Sequence, residues 1–331
     1  MKVIIPVAGA GMRLRPHTHT QPKTLVPIAG KPILAHIIDD LRNVGFEHFV
    51  FVLGYLGEKV EEFIKNHYQN QIQAEFVYQE PREGSAHALW IAKHTYEKEN
   101  EILIVLGDTI ATLDYSKLLK HKNSVICVQK VSNPTQFGIA QIGKKGEVIS
   151  LVEKPKIPKS NWAIVGVYKI KNIPLFLQSI ERLFERKQKN QNEYYLTDAI
   201  MNMIEAGEAV FSMPVTHWYD CGKRETLLEA NAILLNKPEF QHHQNLQFPE
   251  SVIIPPVSIG KNCIIKGSII GPNVAIGEES ILENSIVKNS IVGSYSEITN
   301  VLLQDSIIGN DSSVKGENYI LSIGDNAEIN L

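Results

Sequence analysis

The chain has 331 residues, 44% of them hydrophobic and 21% charged, and a formal net charge of −3. This is the composition of a folded globular protein and excludes disorder over most of the length. It also excludes a global field that would recruit nucleic acid or an anionic membrane, and no run approaches the ~18 apolar residues of a membrane span.

Lys2–Val7 reads as a buried strand and not as a signal peptide, because Pro6, Gly9, Gly11, Arg13 and Arg15 break the apolar run. Pro32–Val44 carries Ile33, Ile37, Leu41 and Val44 at helical spacing. His48–Leu53 is a predicted strand, Gly57–Gln69 a helix, Ala74–Tyr78 a strand and Ser85–Glu97 a helix. Glu101–Leu106 is a strand that runs into Gly107 and Asp108. This alternation predicts a Rossmann-like, doubly wound sheet, which binds ligands beyond the carboxyl ends of its strands. Ser124–Gln129, Ile139–Ile142, Val148–Glu153 and Ala163–Tyr168 add β structure, while Pro174–Lys189 and Asp198–Ala206 look helical.

A different architecture begins near residue 251. Residues 251–331 hold 17 Ile, two aromatics, four Lys, no Arg and nine acidic residues, whereas residues 1–250 are net positive. Ile259-Gly260, Ile265, Ile270-Gly271, Ile276-Gly277 and Leu282 recur every five or six residues, followed by ENSIV, KNSIV and QDSII. A hexapeptide period with one inward aliphatic predicts a parallel β-helix of roughly four coils, at three hexapeptides per coil. The expected domains are therefore 1–235, a polar linker at 236–250, and the β-helix at 251–331.

Val7 to Leu14 follows the first strand directly. Read alone, its Ala8, Gly9, Ala10, Gly11 and Met12 fit either a tight strand-to-helix turn or a cradle of backbone N–H groups for phosphate oxygens. The spacing is neither the dinucleotide fingerprint nor a Walker loop. Arg13, Pro22-Lys23, Pro27 and Gly30-Lys31-Pro32 then supply fixed positive charge, which phosphoryl or nucleotidyl transfer needs. Asp108, at a strand end, and Asp220, in WYDCG after an extended segment and before a helix, each fit an N-cap or turn as well as a cation site. No histidine spacing suits zinc, and no Ser/His/Asp arrangement has a nucleophile elbow. Cys127, Cys221 and Cys263 are far apart and read as reduced thiols of a cytoplasmic protein.

The run GAGMRLRPHTHTQPKTLVPIAGKPI resembles the signature G-x-G-T-R-L-x-P, P-K, P-I, K-P of the sugar-phosphate nucleotidylyltransferases, with Met12 in place of the usual Thr. The resemblance continues in order to about residue 235. With the hexapeptide tail it is closest to the glucose-1-phosphate thymidylyltransferases of the long form, whose tail is a left-handed β-helix. The opening Ile-Pro-Val-Ala-Gly also resembles UTP–glucose-1-phosphate uridylyltransferases.

The resemblance implies that Ala8–Arg13, Gln79, Gly84 and Ser85 bind the nucleotide. Gln79 would read the pyrimidine edge, and Ser85 would cap the next helix. It further implies that Gly138, Glu153, Lys154, Asn161 and Gly166 form the sugar-phosphate pocket, and that Asp108 and Asp220 hold Mg²⁺. The implied reaction is in-line attack of a hexose 1-phosphate on the α-phosphorus of dTTP or UTP, with no covalent intermediate. Arg13 would stabilise the transition state, Lys154 orient the attacking phosphate, and Lys23 neutralise phosphate charge. Mannose-1-phosphate guanylyl transfer is a further alternative, and a non-catalytic nucleotide-sugar sensor is one from another class. The tail from Ser251 contains no His, which argues against acetyl transfer. Its flat prism faces suit homo-oligomer contacts.

Overall fold

The computed structural model describes residues 1–187, 189–190, 192–237 and 248–317. The first part alternates β1 (Lys2–Val7), α1 (Ile33–Asn43), β2 (His48–Leu53), α2 (Gly57–Tyr68), β3 (Gln73–Tyr78), α3 (Ser85–Ile91), α4 (Lys93–Tyr96) and β4 (Ile102–Val105). It continues through β5 (Thr109–Thr112), α5 (Tyr115–Lys120), β6 (Ser124–Lys130), β7 (Gly138–Ile142), β8 (Val148–Glu153) and β9 (Trp162–Ile170). It closes with α6 (Ile173–Glu185), α7 (Leu196–Glu205), β10 (Val210–Pro214), β11 (His217–Asp220) and α8 (Arg224–Leu234).

A nine-stranded sheet runs β8-β7-β9-β4-β1-β2-β3, with β6 beside β9 and β10 beside β6. β1 pairs in parallel with β2 and β4, and Ile4 stands opposite both Val50 and Ile104. These strands are near-continuous apolar runs because both faces are covered: Ile4, Val50, Ile102 and Ile104 are fully buried. They join one core with Phe176, Ile180 and Leu183 of α6 and Ala199, Ile200 and Met203 of α7. β9 is antiparallel to β4, so the sheet is mixed.

The expected helix 85–97 is two helices. Ala92 departs from helical geometry at ψ 0°, and its carbonyl accepts a bond from the Thr95 hydroxyl at 2.7 Å. Such local bonds compete with the helical ladder. β5, α5 and β10 were not foreseen, whereas β11 falls on the segment read as extended before Asp220; β5 and β11 are four-residue strands that pair with each other, with Asp220 opposite Thr109.

Chain contacts divide the protein into Met1–Val26 with Lys31–Leu227, and Pro27–Gly30 with the described residues from Leu228 onward. Most of α8 therefore belongs with the second unit, earlier than the expected limit at 235. There Asn231 receives the Ala29 N–H at 2.8 Å and donates to the Asn273 carbonyl at 3.1 Å. Of the expected linker, 238–247 lies outside the described residues, as does 318–331 of the expected β-helix.

The second unit stacks three columns of short parallel strands. Val252–Ile253, Ile269–Ile270, Ile286–Lys288 and Leu302–Gln304 form one side; Val257–Ile259 and Ile264–Lys266 start the other two. This is the expected β-helix, with four layers in the described residues. Its coil is shorter than three full hexapeptides. Ile253 stacks on Ile270 and that on Val287, 17 residues apart, and the next step from Val287 to Leu303 is 16. Ile265, Leu282 and Ile298 point inward and are buried. The Asn-Ser and Asp-Ser corners explain the repeat. Asn284, Asn289 and Asp305 adopt positive φ, and the next serine bonds to the neighbouring coil. Ser268 Oγ accepts from the Ser285 N–H at 3.1 Å, and Ser285 Oγ from the Val301 N–H at 3.2 Å.

Candidate functional site

Two chambers open beyond the carboxyl ends of β1 and β4, within the first unit. The larger, about 560 Å³, is lined by Ala8 to Met12, Lys23, Gln79, Arg82, Gly84, Ser85, Asp108 and Glu193 among others. The smaller, about 290 Å³, is lined by Arg13, Gln136, Gly138, Glu153, Lys154, Thr197, Trp218 and Asp220 among others. Ser85, Leu106 and Asp108 line both, so the chambers meet at Asp108.

The loop after β1 takes its shape from Gly11, whose φ of +61° is left-handed. The Gly11 carbonyl accepts from the Thr18 hydroxyl at 2.9 Å and from the Leu14 N–H at 2.9 Å. A one-turn 3₁₀ helix, Met12–Leu14, follows and carries Arg13 outward. Met12, in place of the usual Thr, lines the larger chamber and is 70% exposed.

Four charged groups converge where the chambers meet. The Lys23 ammonium, buried on a second short 3₁₀ turn, pairs with Asp108 Oδ2. The Cys221 N–H donates to the Asp108 carbonyl at 3.2 Å, which sets Asp220 beside it. A Cβ built on Gly222 would lie 2.7 Å from Arg13 Nη2, 2.7 Å from Asp220 Oδ1 and 3.2 Å from Lys23 Nζ. Thus Arg13, Lys23 and Asp220 surround one small residue. Burial pushes the Asp220 carboxyl up, and the charge of Asp108 pushes it further, against Lys23 and Arg13. Burial also raises Asp108, but Lys23 and Arg13 together hold it below the usual carboxylate range.

Mg²⁺ is typically held by one or two carboxylates, with substrate phosphate oxygens and waters completing its shell. Asp108 and Asp220 fit that donor set. Among the described residues no cluster of three or more His, Cys, Asp or Glu could hold a metal by itself.

Gln79, at the end of β3, is buried. Its amide nitrogen donates to the Gly84 carbonyl at 3.0 Å and lies 3.1 Å from His87 Nδ1. Burial lowers the His87 pKa, which favours a neutral ring able to accept. Two acceptors around the nitrogen fix the amide orientation. With the amide nitrogen engaged on both sides, it is the carbonyl oxygen that Gln79 can offer a ligand, as an acceptor. Gly84 has φ +105°, and a Cβ there would lie 2.5 Å from the Tyr194 carbonyl. That close approach clasps the loop to the segment before α7: Tyr194 N–H donates to Glu83 O at 2.8 Å, and Ala86 N–H to Tyr194 O at 2.9 Å. Ser85 does not cap its own helix. Its Oγ accepts from the Leu196 N–H at 2.9 Å and so ties α3 to the start of α7.

In the smaller chamber, Glu153 is held by the Thr197 hydroxyl at 2.7 Å, and Lys154 Nζ lies 3.9 Å from its other oxygen. The Lys154 ammonium also sits 5.2 Å from the Tyr195 ring centroid. Burial raises the Glu153 carboxyl above its usual range. Asp198, one residue past Thr197, is pushed up to about 6 by burial and by Glu153. Trp218 packs edge-on against Phe137, and its buried indole N–H has no partner among the described residues.

Two expected pocket residues line neither chamber. Asn161 is exposed, and its carbonyl accepts the Val131 N–H at 3.0 Å. Gly166 lies behind the site, where β9 shifts register against β6; its carbonyl accepts the Leu106 N–H at 2.9 Å. It shapes the turn into Asp108 and does not meet the ligand space. Thr197, Tyr195, Gln136, Phe137, Trp218, Arg82 and Glu193 line the chambers but were not singled out from sequence. Only Trp218, two residues before Asp220 on an alternating strand, carried a signal that could have found it.

The profile of the nucleotidyl transferase family matches residues 2–237. The Bifunctional protein GlmU of Methanocaldococcus jannaschii is 36% identical over 316 residues, 95% of this chain and 72% of that protein. A glucose-1-phosphate thymidylyltransferase of Streptomyces antibioticus is 29% identical over 340 residues, 99% of this chain and 93% of that one. Among solved structures, a UDP-glucose pyrophosphorylase complexed with UDP-glucose superposes with a TM-score of 0.62. It is 22% identical and covers 70% of this chain and 97% of that one. Among the described residues no helix is long and apolar enough to cross a membrane.

Proposed function

This chain belongs to the nucleotidyl transferase family, with the fold and residue pattern of its sugar-phosphate members, and on that premise we propose that it joins dTTP and glucose 1-phosphate to give dTDP-glucose and pyrophosphate. The observation that carries the reading is the convergence of Arg13, Lys23, Asp108 and Asp220 between a large chamber and a small one. The triphosphate occupies the larger chamber, its phosphates along the backbone of Ala8 to Met12. The Gln79 carbonyl oxygen accepts from the pyrimidine imide N–H. The hexose 1-phosphate occupies the smaller chamber, with Glu153 accepting from sugar hydroxyls and Lys154 orienting the phosphate.

The nucleophile is already anionic at neutral pH, so no general base is needed. Positioning and charge neutralisation carry the reaction. Asp108 and Asp220 would hold Mg²⁺, which when bound would neutralise phosphate charge. Arg13 stabilises the crowded phosphorus and the departing pyrophosphate. Lys23 starts out paired with Asp108, so its charge reaches phosphate through that shared centre.

UTP is the second reading, because the imide that Gln79 meets is common to thymine and uracil. Pyrophosphate release across a panel of triphosphates and sugar 1-phosphates tests both. dTTP with glucose 1-phosphate is expected to give the highest kcat/KM. Release with no pair at all would leave a binding protein, and release with UTP alone would move the assignment to uridylyl transfer.

Gly84→Ala tests the larger chamber. The new methyl would meet the Tyr194 backbone at a left-handed φ. We expect a loss of about 1–3 kcal/mol in denaturant unfolding. KM for the triphosphate should rise more than KM for the sugar phosphate, since it is the base-reading loop that shifts.

A further inference from the structure

We propose that Thr197 is a positioning residue whose hydroxyl fixes Glu153 so that one carboxylate oxygen is left free for the sugar. The inference rests on the reading of the smaller chamber above and deepens it. Thr197 is buried in the first turn of α7, and its Oγ1 donates to Glu153 Oε2 at 2.7 Å. On the opposite side, a Cβ on Gly138 would lie 2.8 Å from that same oxygen and 3.3 Å from the Thr197 hydroxyl. The pair thus occupies a space that only glycine leaves. The other oxygen, Oε1, has Lys154 Nζ at 3.9 Å, beyond hydrogen-bond distance. All four residues line the smaller chamber. One oxygen is taken by the protein, and the second points the acceptor capacity of the group at a hydroxyl of the hexose.

The Glu153 side chain is only 13% exposed. Burial works against its charged form, and Glu193 adds to that, while the Thr197 hydrogen bond and the Lys154 charge oppose it. Asp198, Tyr195 and Tyr168 also feel the Glu153 charge. Of all these groups, Thr197 makes the hydrogen bond to the carboxylate and so sets its rotamer as well as its charge state.

Thr197→Val keeps shape and removes the donor; Thr197→Ser keeps the donor. For Thr197→Val we expect KM for the hexose 1-phosphate to rise about tenfold, the loss of a hydrogen bond to a charged acceptor, with KM for the triphosphate unchanged. Losing a bond to the charged form raises the Glu153 pKa, so the acid limb of kcat/KM moves to higher pH. Thr197→Ser should stay near wild type in both. In a Glu153→Gln background, Thr197→Val should add little, because the two act as one unit. An unchanged KM and pH profile in Thr197→Val, an equal loss in Thr197→Ser, or additive losses in the double variant would overturn the assignment. Should the valine variant not fold, Thr197→Ala carries the same test. Wild-type protein that releases no pyrophosphate from any substrate pair would instead defeat the proposed reaction, a separate outcome.

Discussion

Arg13→Ala is expected to lower kcat by about 10²–10³-fold while leaving KM for both substrates within a few fold. The guanidinium is held by a one-turn helix directly after the glycine loop and reaches Gly222 beside Asp220 and Lys23. Its partner charge is small in the ground state, where the α-phosphate already has neighbours. It grows as the fifth oxygen approaches and pyrophosphate departs. An interaction that strengthens only on the way to the transition state appears in kcat. Arg13→Lys should recover only part of the loss, since an ammonium cannot span two oxygens as the planar fork does. Steady-state kinetics decides it. A kcat within threefold of wild type in Arg13→Ala would remove Arg13 from the chemistry.

Asp108→Asn and Asp220→Asn are expected to lose at least about 10²-fold in kcat/KM, because on the proposed reading these two carboxylates would hold the cation. The two variants should differ in kind. Asp220 is raised by burial and by Asp108, so its removal relieves a repulsion, and high Mg²⁺ should recover part of the activity. Asp108 also holds the Lys23 ammonium, and its loss leaves that cation buried without its partner. Added Mg²⁺ should recover little there, and thermal stability should fall. A magnesium titration of both variants, with a chelator control on wild type, separates these outcomes. Full wild-type activity in chelator would show that the carboxylates serve another purpose.

Much of this was legible in the sequence, and the physical reasons are particular. β1 and β2 are buried on both faces, so their apolar runs announce themselves, and Lys2–Val7 and His48–Leu53 were read to the residue. The glycine loop and Asp108 follow such strands, which fixed their place at the sheet edge. β5 was invisible because four residues carry no period; its reason to be a strand is the β11 segment it pairs with. Ser85 and Gln79 were recognised, but their bonds were not. Whether Ser85 caps α3 or ties to Leu196, 111 residues away, depends on a clasp that no local pattern encodes. Thr197 was hidden for the same reason: its partner is Glu153, 44 residues earlier. Asn161 and Gly166 show the converse, since order along the chain placed them in a pocket that neither lines: Asn161 is exposed just before β9, and Gly166 sits in the β9 register shift.

The serine corners of the second unit have a consequence for how this chain can change length. Each corner hydroxyl meets the N–H of the coil above, and consecutive coils repeat at 17 or 16 residues. Excision of one complete turn, residues 269–285, would bring Ile286 onto Val252 and Val301 above Ser268, so every junction finds an equivalent neighbour. Removal of half a turn would set aliphatics against solvent and leave hydroxyls without their amides. Evolution and the protein engineer therefore share the same ruler here: the cylinder can be shortened or extended in whole steps.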